Sequence, residues 1–293
     1  MEPGEFAVSI LGLGQIGGSL ALALKKRGFP GRIGGYDVDP ARRDRASFFL
    51  DFSASRPEEA IAAADVVVLA APVSAILETL ESVGDRFPDK VFTDVGSTKK
   101  AVVELAARFP LLRLVPGHPF AGSELPGEAG WNPDLFAGRP YFLVRTEKTS
   151  AADFQLIRDL VRQSGAFPVE VSADEHDRLL ALSSHLPLAV SVAFARQMNG
   201  RPVQGRKEFV GTGLLSVARL AGGSPEMEAD ILLSNWKFIR EELERFQAEL
   251  ARLAELLESG NREEILRYLR ESQRAYWSLV PGKESPERGP EEK

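Results

Sequence analysis

The stretch that decides the fold is Gly12-Leu13-Gly14-Gln15-Ile16-Gly17, which lies between an apolar run and a helical pattern. The run Ala7-Val8-Ser9-Ile10-Leu11 predicts a buried strand, and residues 16–27 predict a helix that ends at Gly28. With this spacing, the first glycine permits a tight turn, the second lets a pyrophosphate approach the backbone, and the third lets helix and strand pack closely. The stretch predicts a dinucleotide-binding turn at a helix N-terminus; a glycine-rich turn without a ligand is the alternative.

From this turn to residue 171, short apolar runs alternate with helical patterns, which is typical of βαβ units. Val66-Val67-Val68-Leu69-Ala70 is continuously apolar, as expected of a strand covered on both faces. Further strands are predicted at 32–36, 91–93, 112–115, 141–144 and 167–171, and helices at 73–83, 98–108 and 151–164. We therefore predict an α/β fold with an N-terminal Rossmann-type, doubly wound, mostly parallel sheet.

The pattern becomes helical from Ser172 onward. Long helices are predicted at 173–198 with a kink at Pro187, at 225–258 and at 261–277. Residues 281–293 offer almost nothing to bury, so we predict a disordered tail there. The predicted domains are a dinucleotide-binding domain at 1–171 and a helical substrate and dimerisation domain at 172–280.

Composition narrows the classes of function. A chain of 293 residues is long enough for two domains. The net charge of −6, without any dense Lys/Arg block, argues against nucleic acid or an anionic membrane as partner. The absence of cysteine excludes disulfides, thiolate metal sites and cysteine nucleophiles, and we predict no metal. Neither a signal peptide nor a long uninterrupted apolar span is recognisable, so we expect a cytoplasmic protein.

Asp37 follows the second predicted strand, where a carboxylate can accept hydrogen bonds from an adenosine ribose. An acid at this position also repels a 2′-phosphate, which favours NAD over NADP. Arg42, Arg43 and Arg45 lie just downstream and could accommodate that phosphate. A solvated helix face is the better interpretation of these arginines.

Two further motifs follow predicted strands, where the ligands of doubly wound sheets bind. His118, in Pro116-Gly117-His118-Pro119, could face a nicotinamide and act as a general base. The chain has only two other histidines, His176 and His185, so the choice of base is narrow. Ser97 could orient a substrate hydroxyl or the histidine, although from the residues alone the better interpretation is that Ser97 or Thr98 N-caps the next helix.

Five motifs occur in a characteristic order: GLGxIGGS at 12–19, DVGSTK at 94–99, GHPFAGSE at 117–124, EHD at 175–177 and SHLP at 184–187. Together they resemble the prephenate/arogenate dehydrogenase family, over nearly the whole chain from Val8 to about Trp277. The resemblance implies a nucleotide-binding domain followed by an all-helical C-terminal dimerisation domain. It further implies a homodimer with the active site between the domains. The implied reaction is the NAD-dependent oxidative decarboxylation of prephenate or arogenate in tyrosine biosynthesis.

The resemblance also implies roles for individual residues. His118 is the catalytic histidine, Ser97 orients the reacting hydroxyl, and Arg219 grips a substrate carboxylate, for which a guanidinium fork is suited. The other implied substrate-binding residues are His185, Gly122 and Ser123. The implied cofactor-binding residues are Gly12, Gly14, Gln15, Ile16, Gly17, Asp37, Ala71 and Pro72.

Three departures from the family pattern concern the substrate side-chain pocket. Leu188 and Leu215 replace a histidine and an arginine, and Glu228 replaces an aromatic residue. Glu228 could bind a substrate ammonium, which favours arogenate, or it could be a solvated helix residue.

Two alternatives to this function are open. A β-hydroxyacid dehydrogenase would share the architecture but typically uses a lysine on the helical domain, where Lys207 and Lys237 lack a glycine-framed motif. A non-catalytic NAD-sensing protein would need neither His118 nor Arg219.

Overall fold

The computed structural model describes residues 6–122, 125 and 127–280. Two compact units are found, one extending to Ile239 and one from Arg240 onward. The tail predicted at 281–293 lies outside the described residues.

The first unit is built on a six-stranded parallel sheet with the strand order β3-β2-β1-β4-β5-β6. The strands are β1 Ala7–Leu11, β2 Arg32–Tyr36, β3 Phe52–Ser53, β4 Val66–Leu69, β5 Val91–Asp94 and β6 Arg113–Val115. The order reverses between β1 and β4, and ligands of doubly wound sheets bind at such a switch point. The sheet confirms the predicted Rossmann-type α/β fold.

Helices cover both faces of this sheet. They are α1 Gln15–Lys26, α2 Pro40–Ala46, α3 Pro57–Ala62, α4 Val73–Val83 and α5 Lys100–Ala106. Val66 and Val68 pack in one core with Leu20 of α1, whereas Val67 packs in a second core with Ile76 of α4. Successive side chains of a strand point to opposite faces, so two buried faces require the continuous apolar run of β4.

A separate three-stranded sheet has the order β7-β8-β9. It consists of β7 Gly117–Pro119, β8 Pro140–Val144 and β9 Phe167–Val171, with α6 Ala151–Gln163 between the last two. His118 follows the strand predicted at 112–115 but lies in a further strand that was not predicted, where it pairs with Phe142 in an antiparallel ladder. The N–H of Val144 donates to the carbonyl of Pro116 (2.9 Å) and continues this ladder, a pairing that the local sequence does not reveal.

The segment after Ser172 is helical, as predicted. Its elements in this unit are α7 Ala173–Leu180, a π-helical turn Ala181–His185, α8 Leu186–Gln197, α9 Thr212–Ala218, a 3₁₀ turn Arg219–Gly222 and α10 Pro225–Ser234. The irregularity expected at Pro187 takes the form of the π-helical turn, and Pro187 lies in the first turn of α8, where its missing N–H is tolerated.

The single helix predicted at 225–258 is wrong, because Asn235 separates α10 from α11 Trp236–Ser259. Asn235 has φ −111° and ψ 17°. Its side-chain amide donates to the carbonyl of Asp177 (2.7 Å) and to Nδ1 of His185 (2.9 Å). Contacts to distant residues therefore break a helix that the local pattern would continue.

The second unit is a helical hairpin formed by α11, from residue 240 onward, and α12 Arg262–Leu279. Gly260, with φ +63°, ends α11, and the side chain of Asn261 caps the N-terminus of α12. The phenol of Tyr268 donates to Glu249 (3.2 Å), and Arg252 lies over its ring. Leu250, Leu257, Leu269 and Tyr276 are more than half exposed in this unit.

One helical run, Ala173–Gln197, is long and apolar enough to cross a membrane by length and composition. A core helix of a water-soluble protein meets the same criterion, so a single run of this kind is weak evidence for a membrane span. The run is interrupted by the π-helical turn, in which His185 is buried.

Candidate active site

The glycine turn between β1 and α1 is constrained at two of its three glycines. Gly12 has φ +101°, and a Cβ there would lie 2.2 Å from the carbonyl oxygen of Ala70. A Cβ at Gly17 would lie 1.9 Å from the carbonyl oxygen of Gly12. A Cβ at Gly14 would meet nothing within 4 Å. The fold therefore requires the first and third glycines, whereas the second leaves open space before the helix.

The N-terminus of α1 is suited to an anion. Gly14 caps the helix without a side-chain hydrogen bond, and the first turn contains no acidic residue. The first N–H groups of a helix have no intrahelical partner, and the helix dipole favours negative charge there. The residues of the turn therefore fit a dinucleotide pyrophosphate.

A cavity of about 690 Å³ opens beside this helix end. Its walls include Gly14, Gln15 and Ile16, together with Ala71 and Pro72 after β4. Ser97 also lines it, and the opposite wall comes from the segment 222–227 and Ile231. This volume is within the usual range for cofactor sites. The structure thus brings five of the eight predicted cofactor-binding residues to one cavity.

Asp37 lies at the end of β2, beside the glycine turn, and only 3% of it is exposed. Its carboxylate accepts hydrogen bonds from the N–H of Leu13 (2.7 Å), the N–H of Asp39 (2.9 Å) and Nη1 of Arg42 (3.0 Å). Arg42 itself lines the cavity. Contact between Asp37 and a ribose therefore stays a prediction.

Two of the three arginines of α2, Arg42 and Arg43, do not form the solvated face expected for them. Arg42 binds the carboxylate of Asp37, and Nη1 of Arg43 donates to the Asp37 carbonyl oxygen (2.5 Å). The half-exposed Arg45 pairs with Glu128 (2.7 Å).

Leu125 and the segment 127–131 contribute to the wall at the glycine turn, and the sequence analysis missed them. Nε1 of Trp131 donates to the carbonyl oxygens of Leu13 (3.0 Å) and Gly14 (3.1 Å). Nε2 of Gln15 donates to the carbonyl oxygen of Leu125 (2.6 Å), and Leu125 lines the cavity. No local motif marks Trp131, because its partners are distant in the sequence.

His118 is the first member of a buried chain of hydrogen bonds. Its Nδ1 lies 2.9 Å from Nε2 of His176, and Nδ1 of His176 lies 2.7 Å from Oδ1 of Asp177. The Asp177 carboxylate also accepts the N–H groups of Lys99 (2.8 Å) and Lys100 (2.9 Å). The EHD motif thus supplies partners for His118 that the sequence analysis did not assign.

The surroundings of His118 keep it neutral. Burial lowers its pKa well below 6.5, and the nearby His176, Lys99 and His185 lower it further by disfavouring another positive charge. A neutral imidazole at pH 7 can accept a proton, as a general base requires.

The DVGSTK turn is tied to the strand that carries His118. The ammonium of Lys99 donates to the Asp94 carboxylate and to the carbonyl oxygen of Gly117 (2.6 Å). Asp94 in turn accepts the N–H of Gly117 (3.1 Å) and of Gly96 (2.9 Å). Burial lowers the pKa of Lys99, and the Asp94 carboxylate opposes this effect. This buried ion pair fixes the turn containing Ser97 against the start of β7.

The predicted substrate-binding residues are less closely grouped than the predicted cofactor-binding residues. His185 is buried, and its Nδ1 accepts a hydrogen bond from the amide of Asn235. Burial lowers the pKa of His185 to about 4; Asp177 raises it and His176 lowers it. Arg219 begins the 3₁₀ turn that ends at Gly222 in the cavity wall.

Several predicted site residues do not line the cavity, and one lies outside the described residues. His118, His185, Gly122 and Arg219 are not among the described residues that line the cavity. A Cβ at Gly122 would lie 3.7 Å from Oε1 of Gln15, so Gly122 is close to the glycine turn. Ser123 lies outside the described residues. Within 6–122, 125 and 127–280, no group of three or more His, Asp or Glu side chains is arranged to hold a metal ion.

The three departures from the family pattern have different environments. Leu188 is 8% exposed, whereas Leu215 is 56% exposed. The carboxylate of Glu228 accepts the N–H of Gly223 just before α10, and burial raises the pKa of Glu228. This contact explains Glu228 as part of the start of α10.

Family comparisons cover most of the chain. Residues 20–170 match the model described as prephenate dehydrogenase, nucleotide-binding domain, and residues 172–271 match prephenate dehydrogenase, dimerization domain. The chain is 32% identical to a prephenate dehydrogenase of Bacillus subtilis over 281 residues, covering 90% of this chain and 73% of the relative. It is 29% identical to a cyclohexadienyl dehydrogenase of Zymomonas mobilis, covering 93% and 95%.

Solved structures agree with these matches. The prephenate dehydrogenase of A. aeolicus in complex with hydroxyphenyl propionate and NAD+ superposes with a TM-score of 0.86 at 29% identity, covering 96% of this chain and all of that one. An arogenate dehydrogenase of Synechocystis superposes with a TM-score of 0.78 at 26% identity, covering 94% and 100%. The five ordered motifs, the glycine turn and both family models lead to one conclusion: the chain belongs to the prephenate dehydrogenase family.

Proposed function

We propose that this protein oxidatively decarboxylates prephenate or arogenate with NAD, giving 4-hydroxyphenylpyruvate or tyrosine in tyrosine biosynthesis. The observation that carries the proposal is the neutral, buried His118, fixed through Lys99 and Asp94 to the turn whose Ser97 lines a dinucleotide-sized cavity. The names of the relatives support the reaction class, since they include prephenate, cyclohexadienyl and arogenate dehydrogenases.

The cofactor would be held by the glycine turn. The N–H groups at the start of α1 would bind the pyrophosphate, and Ala71 and Pro72 would line the cofactor site. Asp37 holds the turn through the N–H of Leu13. NAD, when bound, accepts the hydride from the carbinol carbon of the substrate.

The protein's own part in the chemistry is to position the substrate and remove a proton. His118 accepts the hydroxyl proton as charge develops on oxygen, a contribution of typically 10²–10⁴-fold. Ser97 orients that hydroxyl, and Arg219 fixes a substrate carboxylate, helped by His185, Gly122 and Ser123. Loss of the ring carboxylate as carbon dioxide makes the ring aromatic and drives the reaction forward.

We also propose that the domains divide at 171/172 and that the chain forms a cytoplasmic homodimer through its helical domain. The family model for residues 172–271 is described as a dimerization domain. Leu179 and Leu182 on the apolar run are each 55% exposed within a single chain, and a second copy would cover them. The net charge of −6 supports neither nucleic acid nor an anionic membrane as the partner.

The test is NADH formation by purified protein with NAD and either prephenate or arogenate, with NADP in parallel. The His118→Asn variant should bind NAD normally and lose at least about 100-fold in kcat. Turnover of neither substrate by a protein that binds NAD would overturn the proposal and favour the sensor. Turnover of a β-hydroxyacid instead would favour the other alternative.

A further inference from the structure

The hydrogen bonds behind His118 determine which nitrogens carry protons. The carboxylate of Asp177 accepts only, so Nδ1 of His176 must carry the proton of their 2.7 Å contact. Nε2 of a neutral His176 is then an acceptor, and Nδ1 of His118 must donate to it across 2.9 Å. The remaining nitrogen of His118, Nε2, is therefore unprotonated. The carboxylate of Asp177, at the far end of this chain of hydrogen bonds, thus leaves Nε2 of His118 free to accept a proton.

Asp177 is itself held in place by the backbone. The N–H groups of Lys99 and Lys100 donate to its two carboxylate oxygens, and the side chains of His176 and Asp177 are fully buried. These two bonds fix the orientation of the carboxylate and direct one of its oxygens at Nδ1 of His176. The same turn carries Ser97, so one loop organises both the hydroxyl-orienting residue and the far end of the histidine chain.

We propose that His176 and Asp177 form a proton relay behind His118. As His118 accepts the proton of the substrate, it passes its own Nδ1 proton to His176, which then carries the positive charge. This inference rests on the proposed function of His118. His176 and Asp177 act through His118, so they are positioning residues.

The substrate hydroxyl proton bonds to Nε2 of His118 while the Nδ1 proton of His118 moves to Nε2 of His176. His118 ends neutral as its other tautomer, and His176 ends as an imidazolium in contact with the Asp177 carboxylate. The relay moves only protons, so the protein is neither oxidised nor reduced; bound NAD would take the hydride of the substrate.

The charges around the pair favour this location for the cation. Lys99 disfavours a positive charge on His118, whereas His185 disfavours one on either histidine. The apolar ring of Phe142 likewise contacts both imidazoles, so the two sites differ mainly in their nearest charged partner. His176 instead has the Asp177 carboxylate at one nitrogen. A cation on His176 is therefore the better compensated of the two.

Two substitutions of His176 test the relay by kinetics. Glutamine can still accept the His118 hydrogen bond but cannot take a proton, whereas leucine can do neither. We expect His176→Gln to lower kcat on the order of 100-fold. We also expect the acidic limb of its kcat/KM profile to move to lower pH, because His118 must then hold the cation alone. His176→Leu should share both changes, and Asp174→Asn, an exposed change on the same helix, should show neither.

An effect on kcat of less than threefold in His176→Gln, or an unmoved acidic limb, would overturn the relay. A purely structural role would lower the activity of the leucine variant but would leave the profile of the glutamine variant in place. Unchanged NAD affinity would show that the variants are folded.

A second readout does not depend on turnover. Nitrogen-15 NMR of the imidazoles should resolve the three histidines of the chain. His118 and His176 should carry their proton on Nδ1 and His185 on Nε2, since Nδ1 of His185 accepts from Asn235. A proton on Nε2 of neutral His118 would overturn the relay. If neither prephenate nor arogenate is turned over but the tautomers are as expected, the proposed substrate fails while the histidine chain stands.

Discussion

The indole N–H of Trp131 donates to the carbonyl oxygens of Leu13 and Gly14, at 3.0 and 3.1 Å, and so fixes the backbone of the glycine turn. The indole also packs edge-on against Phe49, and a Cβ at Gly18 would collide with it. A residue far from the motif in sequence thus determines the geometry of the turn that would hold the pyrophosphate.

Trp131→Phe should keep most of this packing but leave the buried Leu13 carbonyl without its indole donor, whereas the Gly14 carbonyl still accepts the N–H of Gly18 (2.9 Å). Leaving a buried polar group unsatisfied costs about 1–3 kcal/mol, and we expect a loss of that size in the free energy of unfolding measured with urea. NAD affinity, measured by calorimetry, should fall as well. Equal stability and equal NAD affinity in parent and variant would remove Trp131 from the cofactor site.

Substitution of the second glycine of the turn, Gly14, should weaken NAD binding without affecting the stability of the fold. A Cβ at Gly14 meets no protein atom within 4 Å, so Gly14→Ala should unfold at the same urea concentration as the parent while its NAD affinity falls at least about tenfold. Gly17→Ala, whose Cβ would lie 1.9 Å from a backbone oxygen, should instead lose stability. Normal NAD binding by Gly14→Ala would place the pyrophosphate elsewhere.

The sequence predicted the parallel sheet well because its determinants are local. The continuous apolar run of β4 and the glycine turn each imply their structure without reference to distant residues. The strand containing His118 was missed because it depends on pairing with β8. The break at Asn235 was missed because its cause is the carbonyl of Asp177 and the ring of His185.

In the candidate site, too, the sequence identified the local motifs but not the contacts between distant residues. The ordered motifs identified His118, Ser97 and the glycine turn as functional positions. Their connections could not be predicted, since the His118–His176 contact joins residues 58 positions apart and the Lys99–Asp177 contact joins residues 78 apart. EHD could be recognised as a family motif, but only the fold shows that its histidine and aspartate lie behind the base.

Cofactor preference should depend on the pairing of Asp37 with Arg42. Asp37→Asn removes the negative charge that repels a 2′-phosphate and weakens the hold on Arg42, a residue that lines the cavity. We expect the ratio of kcat/KM with NADP to that with NAD to rise at least about tenfold. Arg42→Ala in the same background should abolish the gain, and Arg45→Ala, on the exposed side of α2, should not. A ratio unchanged in Asp37→Asn would contradict this role.

Acid should destabilise the protein partly through His185. Burial lowers its pKa to about 4 in the fold, against 6.5 for the free side chain, so between these values the unfolded chain binds the extra proton. The contribution of His185 to stability is thus fully present above pH 6.5 and is lost as the pH falls toward 4. At 1.36 kcal/mol per pH unit it amounts to about 3 kcal/mol.

The free energy of unfolding, measured with urea across this range, should therefore fall less steeply with acid in His185→Gln than in the parent. His118 contributes with the same sign, and its share should persist in the variant. Parallel pH dependences in the two proteins would mean that His185 binds its proton at the same pH in the folded and unfolded chain, which would contradict the lowered pKa.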